Sequence, residues 1–186
     1  MRSGIADAIA YAEGRVLEDD LMNKYRLYDN SGQDRVRMLE YTVNATSAWH
    51  AEAGVRRLSP GNEVDIALVR PDGVLHVVEL TRANVQTVKL SRDNPVPSAE
   101  VHDAVAQVAN YLRDFDEQRQ LIQEKFGLDA RRASATVVVG QPDFDTAFTE
   151  QQVNEALRTY VSHLSRIDVM TYKQLIDSAR RSLGSA

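Results

Sequence analysis

Two alternating runs, "NEVDIALV" (62–69) and "VLHVVELT" (74–81), stand on either side of "RPDG". No other stretch limits so tightly what this chain can fold into. Side chains that change character at every second position have the period of a β-strand. The link between the runs puts Pro71 and Gly73 where a tight turn wants them. The pattern predicts a β-hairpin, Glu63 to Val69 paired with Val74 to Leu80. Along the first strand Glu63, Asp65 and Ala67 share a face; along the second, Val77, Glu79 and Thr81 do. The turn lies midway between Asp65 and Glu79, so a regular hairpin sets these carboxylates close to opposite one another.

Beyond the hairpin, helices and strands take turns. Ser98 is a good N-cap for a long helix that keeps Val101, Ala104, Val105, Val108, Leu112, Phe115 and Ile122 on one face and stops at Gly127. "SRDNPVPSAE", with two prolines, reads as the polar loop leading into it. "SATVVVG" (134–140) is a short strand of the fully buried kind. "TEQQVNEALRTYVSHL" (149–164) is an amphipathic helix, "IDVMTY" (167–172) a last strand and "YKQLIDSARRSL" (172–183) a last helix. The order β-β-α-β-α-β-α implies an α/β architecture, a mixed β-sheet flanked by helices, without the strict alternation of a doubly wound fold.

Ahead of the hairpin the pattern is weaker. Ile5, Ile9, Ala12 and Val16 are spaced as a helix would space them. "KYRLY" and "RVRMLEYTV" around "DNSGQ" read as a hairpin; equally, the second run continued through "NATSAWHAEAG" reads as a helix with Val36, Leu39 and Val43 on one stripe. Residues 1–60 are taken as part of the same domain as a core spanning 61–186. A chain of 186 residues, 43% hydrophobic and 26% charged, has the make-up of one ordinary globular domain.

Composition also excludes some chemistry. With no cysteine there is no disulfide and no thiolate-bound zinc, and a reducing compartment suits the chain. The first fifteen residues are too polar for a secretory leader and no apolar run is long enough to span a bilayer, so a cytoplasmic location with no membrane partner is expected. GxxxxGK(S/T), GxGxxG and HExxH are absent, and His50, His76, His102 and His163 have no ligand-like spacing. The net charge of −5 does not favour nucleic acid as a whole; basic residues cluster at Arg35/Arg37, Arg56/Arg57, Arg82/Lys89/Arg92 and Arg131/Arg132, and any one of these taken alone reads as part of a solvated mixed-charge surface.

The chemistry therefore concentrates on Asp65 and Glu79. Two carboxylates on facing strand positions repel and need a cation or a proton between them. Mg²⁺ suits such a pair, being a hard ion commonly held by one or two carboxylates with water and phosphate completing its shell. Gln107 and Tyr111, four residues apart, share a helix face at the edge of the apolar stripe. There an amide and a phenol can order a bound water, a carboxylate or a DNA backbone.

Asp65, the hairpin, Glu79-Leu80-Thr81 and a helix bearing Gln107 and Tyr111 resemble the PD-(D/E)XK nuclease superfamily, with the helix element as in RecB-type nucleases. "VDIALVRPDGVLHVVELTRAN", "SAEVHDAVAQVANYL", "ATVVVGQP" and "IDVMTYKQLIDSARRSL", in that order over residues 61–183, resemble one branch, the Shedu family of bacterial anti-phage proteins. The first 60 residues match poorly. The resemblance implies a restriction-endonuclease-like core and a Mg²⁺-dependent (or Mn²⁺-dependent) DNA endonuclease. It further implies a homo-oligomer that works on DNA, with a regulatory domain or partner protein. By position, Asp65 and Glu79 would be metal ligands and Gln107 and Tyr111 supporting residues. An acidic ligand upstream would be Glu52 or Glu40.

The same resemblance expects a lysine at position 81, and the chain has Thr81. An ammonium there would orient the attacking water and offset charge in the transition state; its loss costs about 10²–10³ in rate. Arg82 alternates to the other face, which leaves Lys89 in the following loop, Gln107, or less readily Lys125, to take the role. Two outcomes stay open: a nuclease with its positive charge relocated, or a degenerate fold that serves as a DNA-binding or protein-interaction module. A third, an α/β interaction domain with merely solvated carboxylates, suits the acidic charge but not the four ordered blocks.

Overall fold

The structure, a computed structural model, describes residues 50–51, 58–59, 63–70 and 72–184. The helix expected over 5–21 lies outside them, as does the region from 24 to 54 except for 50–51. Among the described residues one five-stranded sheet forms the centre, in the order β1 (His50–Ala51), β2 (Ile66–Val69), β3 (Val74–Leu80), β6 (Asp129–Val138) and β7 (Ile167–Met170). The β1–β2 and β2–β3 pairs are antiparallel, whereas β3–β6 and β6–β7 are parallel. The expected α/β architecture with a mixed sheet flanked by helices is thus present, in the layout of a nuclease-like core.

The predicted hairpin forms with the register Ile66 opposite Val78 and Val69 opposite Leu75. Its turn is closed by Gly73 N–H donating to the Arg70 carbonyl at 2.9 Å, with Gly73 at φ +83° where a side chain would be strained. The first strand is shorter than expected: Glu63, Val64 and Asp65 run up to it without joining the ladder.

One sheet face carries Ala67, Val69, Leu75, Val77, Ala135, Val137 and Val169, buried with Val101, Val105, Val108 and Phe115 of α1 (Ala99–Glu117), Ile122 of α2 (Arg119–Phe126), and Val153 and Leu157 of α3 (Glu150–Val161). Each fully buried side chain of this kind contributes roughly 1.5–3 kcal/mol. The alternate residues Ile66, Leu68, Val78 and Val138 are buried too, as expected of central strands covered on both faces. α4 (Tyr172–Gly184) closes the chain. Among the described residues no helix is long and apolar enough to cross a membrane.

Two local expectations are corrected. The polar loop is a small hairpin, β4 (Val88–Ser91) with β5 (Asn94–Pro97), turning on Arg92 and Asp93 at φ +50° and +62°. Two-residue turns of this handedness are normally announced by Asn-Gly or Asp-Gly, and Arg-Asp gives no such signal. The long helix is also interrupted at Gln118 (φ −106°, ψ 15°), which divides α1 from α2. Its start is as expected, with the Ser98 hydroxyl accepting from Val101 N–H at 3.4 Å.

His76, on β3, lies buried between the Ser134 hydroxyl (2.8 Å) and the Thr136 hydroxyl (3.1 Å) of β6. Burial, with help from the Arg70 charge, lowers its pKa from 6.5 to about 4. Since the folded pKa is depressed, the unfolded chain binds the extra proton between pH 6.5 and 4, and stability falls on acidification through that window. The expected loss is about 3 kcal/mol. Urea midpoints between pH 7 and 4 check it, and an equal slope in His76→Leu would remove histidine as the cause.

Candidate active site at the carboxyl end of the third strand

Strand β3 ends one residue past Glu79, beside the end of its parallel neighbour β6, which is followed in the sheet by β7. In open α/β sheets this is where ligands are bound. The register of Ile66 with Val78, carried one step further, brings Asp65 opposite Glu79. Asp65 is fastened there because its Oδ2 accepts from the Leu80 backbone N–H at 2.9 Å. Both carboxylates are half-buried.

Helix α1 reaches the pair from the face that holds Leu75 and Val77. Gln107 Nε2 donates to Glu79 Oε1 at 2.7 Å. Its second amide hydrogen goes to the Tyr111 hydroxyl, which in turn donates to the Glu63 carbonyl at 3.2 Å. The four-residue spacing makes this possible, since it places both side chains on one face. A single chain of hydrogen bonds therefore ties the helix to the second carboxylate and to the segment carrying the first. Tyr111 is buried, and burial raises its pKa; the Gln107 bond opposes that, while the charges of Glu79, Asp65 and Glu63 add to it. The phenol stays protonated and can keep donating.

Thr81 faces a different task. Its N–H and its hydroxyl both donate to the Val138 carbonyl, at 2.9 and 3.2 Å, and its own carbonyl accepts from the Tyr172 hydroxyl at 2.5 Å. The hydroxyl is turned into the β6 backbone. Lys89 lies on β4, its side chain exposed and without a hydrogen bond or ion pair among the described residues. Lys125 sits in the last turn of α2 against the Phe126 ring, 5.1 Å from its centre. Glu40 and Glu52 lie outside the described residues, so the third acidic position is not placed. Among the described residues no group of three or more His, Asp or Glu comes together as a metal cage.

The structure thus brings together Asp65, Glu79, Gln107 and Tyr111, sets Thr81 at the margin with its side chain committed elsewhere, and holds Lys89 on a separate hairpin. It adds residues that sequence reasoning passed over. Tyr172 looks like ordinary strand-to-helix packing from the sequence, yet it clamps Thr81 from 91 positions away. Gly140, at φ +62°, donates to the Arg82 carbonyl at 3.2 Å and accepts from Tyr172 N–H at 3.0 Å. A Cβ at that position would meet Thr87 Oγ1 at 2.1 Å. No local signal marks these contacts, because each joins segments far apart in the chain.

No curated protein matches the chain. The family described as Shedu protein SduA, C-terminal, matches residues 15–176 of the 186. Through that match, which takes in the hairpin, α1 and both later parallel strands, the chain belongs to the Shedu SduA C-terminal family.

Proposed function

We propose that this chain is the nuclease-type domain of a bacterial anti-phage defence protein, hydrolysing DNA phosphodiester bonds with a divalent metal at Asp65 and Glu79. Membership of the Shedu family supports the defence role. The observation that carries the chemistry is the pair of facing carboxylates, with Asp65 pinned to the Leu80 N–H and Glu79 to the Gln107 amide. Hard oxygen donors of this kind fit Mg²⁺ or Mn²⁺, which commonly takes one or two protein carboxylates and keeps several waters. Glu52 or Glu40 would complete the set. The metal, when bound, supplies Lewis-acid charge and a water of lowered pKa.

The remaining work belongs to side chains. Gln107 and Tyr111 hold the carboxylates at a set separation, and so cut the reorganisation that catalysis would otherwise need. Positive charge, absent at Thr81, comes from Lys89, since both amide hydrogens of Gln107 are given to Glu79 and Tyr111. The same family reading makes the protein a homo-oligomer acting on DNA in the cytoplasm, controlled by a regulatory domain or partner. One observation favours a second reading, a fold that binds DNA or a protein without cutting: the Thr81 hydroxyl donates to Val138 and has no proton left for the reaction.

The test is incubation of the purified chain with linear and supercoiled duplex DNA in Mg²⁺ or Mn²⁺. Cutting that requires the metal and stops with a chelator is expected. No metal-dependent cutting under any of these conditions would favour the second reading.

A further inference from the structure

Five basic side chains among the described residues are held in ion pairs. Arg70 pairs with Asp72, Arg113 with Asp114, Arg158 with Glu155, Arg166 with Asp116, and Lys173 with both Glu150 and Asp177. Arg82, Lys89 and Arg92, like Arg119, Lys125, Arg131 and Arg132, are exposed and have no side-chain hydrogen bond or ion pair among the described residues; what sets the three apart is their place directly after β3. Asp93 is the one acidic residue between 82 and 97, in a chain whose net charge is −5. The cations are therefore concentrated against the trend of the whole molecule.

Their support is stiff. Arg92 and Asp93 form a two-residue turn with both φ angles positive, braced by Asn94 Nδ2 donating to the Arg92 carbonyl at 3.0 Å. Pro95 and Pro97 fix the returning strand, opposite Leu90 and Val88. Positive φ at two non-glycine residues costs energy and persists only where surrounding contacts impose it. Leu90 is 64% exposed, the most open large apolar side chain described. A rigid arm bearing cations loses little entropy when it binds.

The arm is rooted next to the carboxylates. It follows Glu79 in the chain; Thr87, at its base, packs on Gly140 at the end of β6, and the Thr87 carbonyl accepts from Ser98 N–H at 3.0 Å. Ser98 opens the helix that delivers Gln107 to Glu79. From Ser98 to Gln107 the helix rises about 14 Å. One DNA strand carries a phosphate per about 3.4 Å of helix axis, so this span corresponds to about four phosphates.

We propose that the β4–β5 hairpin is a grip for the DNA backbone, with Lys89 and Arg92, and Arg82 at its root, binding phosphates that flank the bond presented to Asp65 and Glu79. This deepens the nuclease reading and rests on it for the choice of polyanion.

The test separates binding from cutting. Affinity for a fluorescein-labelled duplex of about 30 base pairs is measured by anisotropy in chelator, across a series of salt concentrations, for the full chain and for Lys89→Gln/Arg92→Gln. Each lost phosphate contact lowers the slope of log K against log salt by about 0.9, so the double variant is expected to lose about 2 from its slope. Affinity at moderate salt should fall at least tenfold. Arg131→Gln/Arg132→Gln, at the opposite end of β6, serves as the control and should leave the slope unchanged. An equal fall in the control, an unchanged slope in the hairpin variant, or no duplex binding by the full chain would overturn the proposal. A slope that falls as expected in a chain that never cuts DNA would uphold the grip and sink the nuclease reading alone.

Discussion

Asp65→Ala and Glu79→Ala, made separately, are each expected to reduce metal-dependent DNA cleavage to background, while Thr81→Lys raises it by about 10²–10³. The two losses have the same geometric origin. The Ile66–Val78 register, carried one step further, sets Asp65 opposite Glu79, and removing either would leave the proposed metal only one carboxylate of the pair. The gain comes from position 81. Thr81 continues the β3 ladder through its N–H bond to Val138, so a side chain there keeps the face that Glu79 and Val77 occupy. A lysine gives up the hydroxyl bond to the Val138 carbonyl, worth roughly 0.5–1.5 kcal/mol, and offers an ammonium to the attacking water. Initial rates on supercoiled duplex, at matched metal concentration, give the comparison. If Asp65→Ala cuts as fast as the parent chain, the pair is not the metal site. Parent and Thr81→Lys chains that are both inert would leave the binding module as the better account.

Gly140→Ala is expected to destabilise the protein by roughly 2–5 kcal/mol, the sum of a backbone cost and a packing cost. The left-handed backbone at φ +62° costs about 1–2 kcal/mol for any residue with a Cβ. The new methyl would also lie 2.1 Å from Thr87 Oγ1 and 3.3 Å from the Val85 carbonyl, an overpacking of about 1–3 kcal/mol. Gly140 cannot move aside easily, because its N–H is bound to Arg82 and its carbonyl to Tyr172 N–H. For a chain of this length each kcal/mol lowers Tm by about 2–4 °C. Thr87→Ala supplies the check: among the described residues the Thr87 hydroxyl has no hydrogen-bond partner, so its removal alone costs little. Combined with Gly140→Ala it should restore the clash share and leave the backbone share. A double variant no more stable than Gly140→Ala would show that the contact with Thr87 is not the cause. Since Gly140 is bound to Arg82, next to Thr81, the single variant should also disturb the site, and any loss of activity would be read beside the loss of stability.

The features legible in the sequence are local ones. Alternation on both sides of Arg-Pro-Asp-Gly specifies the β2–β3 hairpin, and its symmetry about the turn sets Asp65 opposite Glu79, since register depends on turn geometry and a side-chain period of two. Ser98 and the apolar stripe from Val101 to Phe115 announce α1. The all-apolar run ending at Gly140 announces a central strand, although β6 starts earlier than expected, at Asp129. A spacing of four makes Gln107 and Tyr111 neighbours. What these side chains touch was settled by packing in three dimensions. Gln107 meets Glu79 across 28 residues because the buried face of α1 packs on the sheet face that Glu79 shares with Val77. The Thr81 hydroxyl is taken by Val138 across 57 residues and its carbonyl by Tyr172 across 91. The β4–β5 arm was hidden because Arg92 and Asp93 hold positive φ under constraint from their surroundings, not by intrinsic preference. Periodicity, capping and turn chemistry act over a few residues and leave a mark in the sequence. Which carbonyl receives a given hydroxyl depends on how distant segments pack.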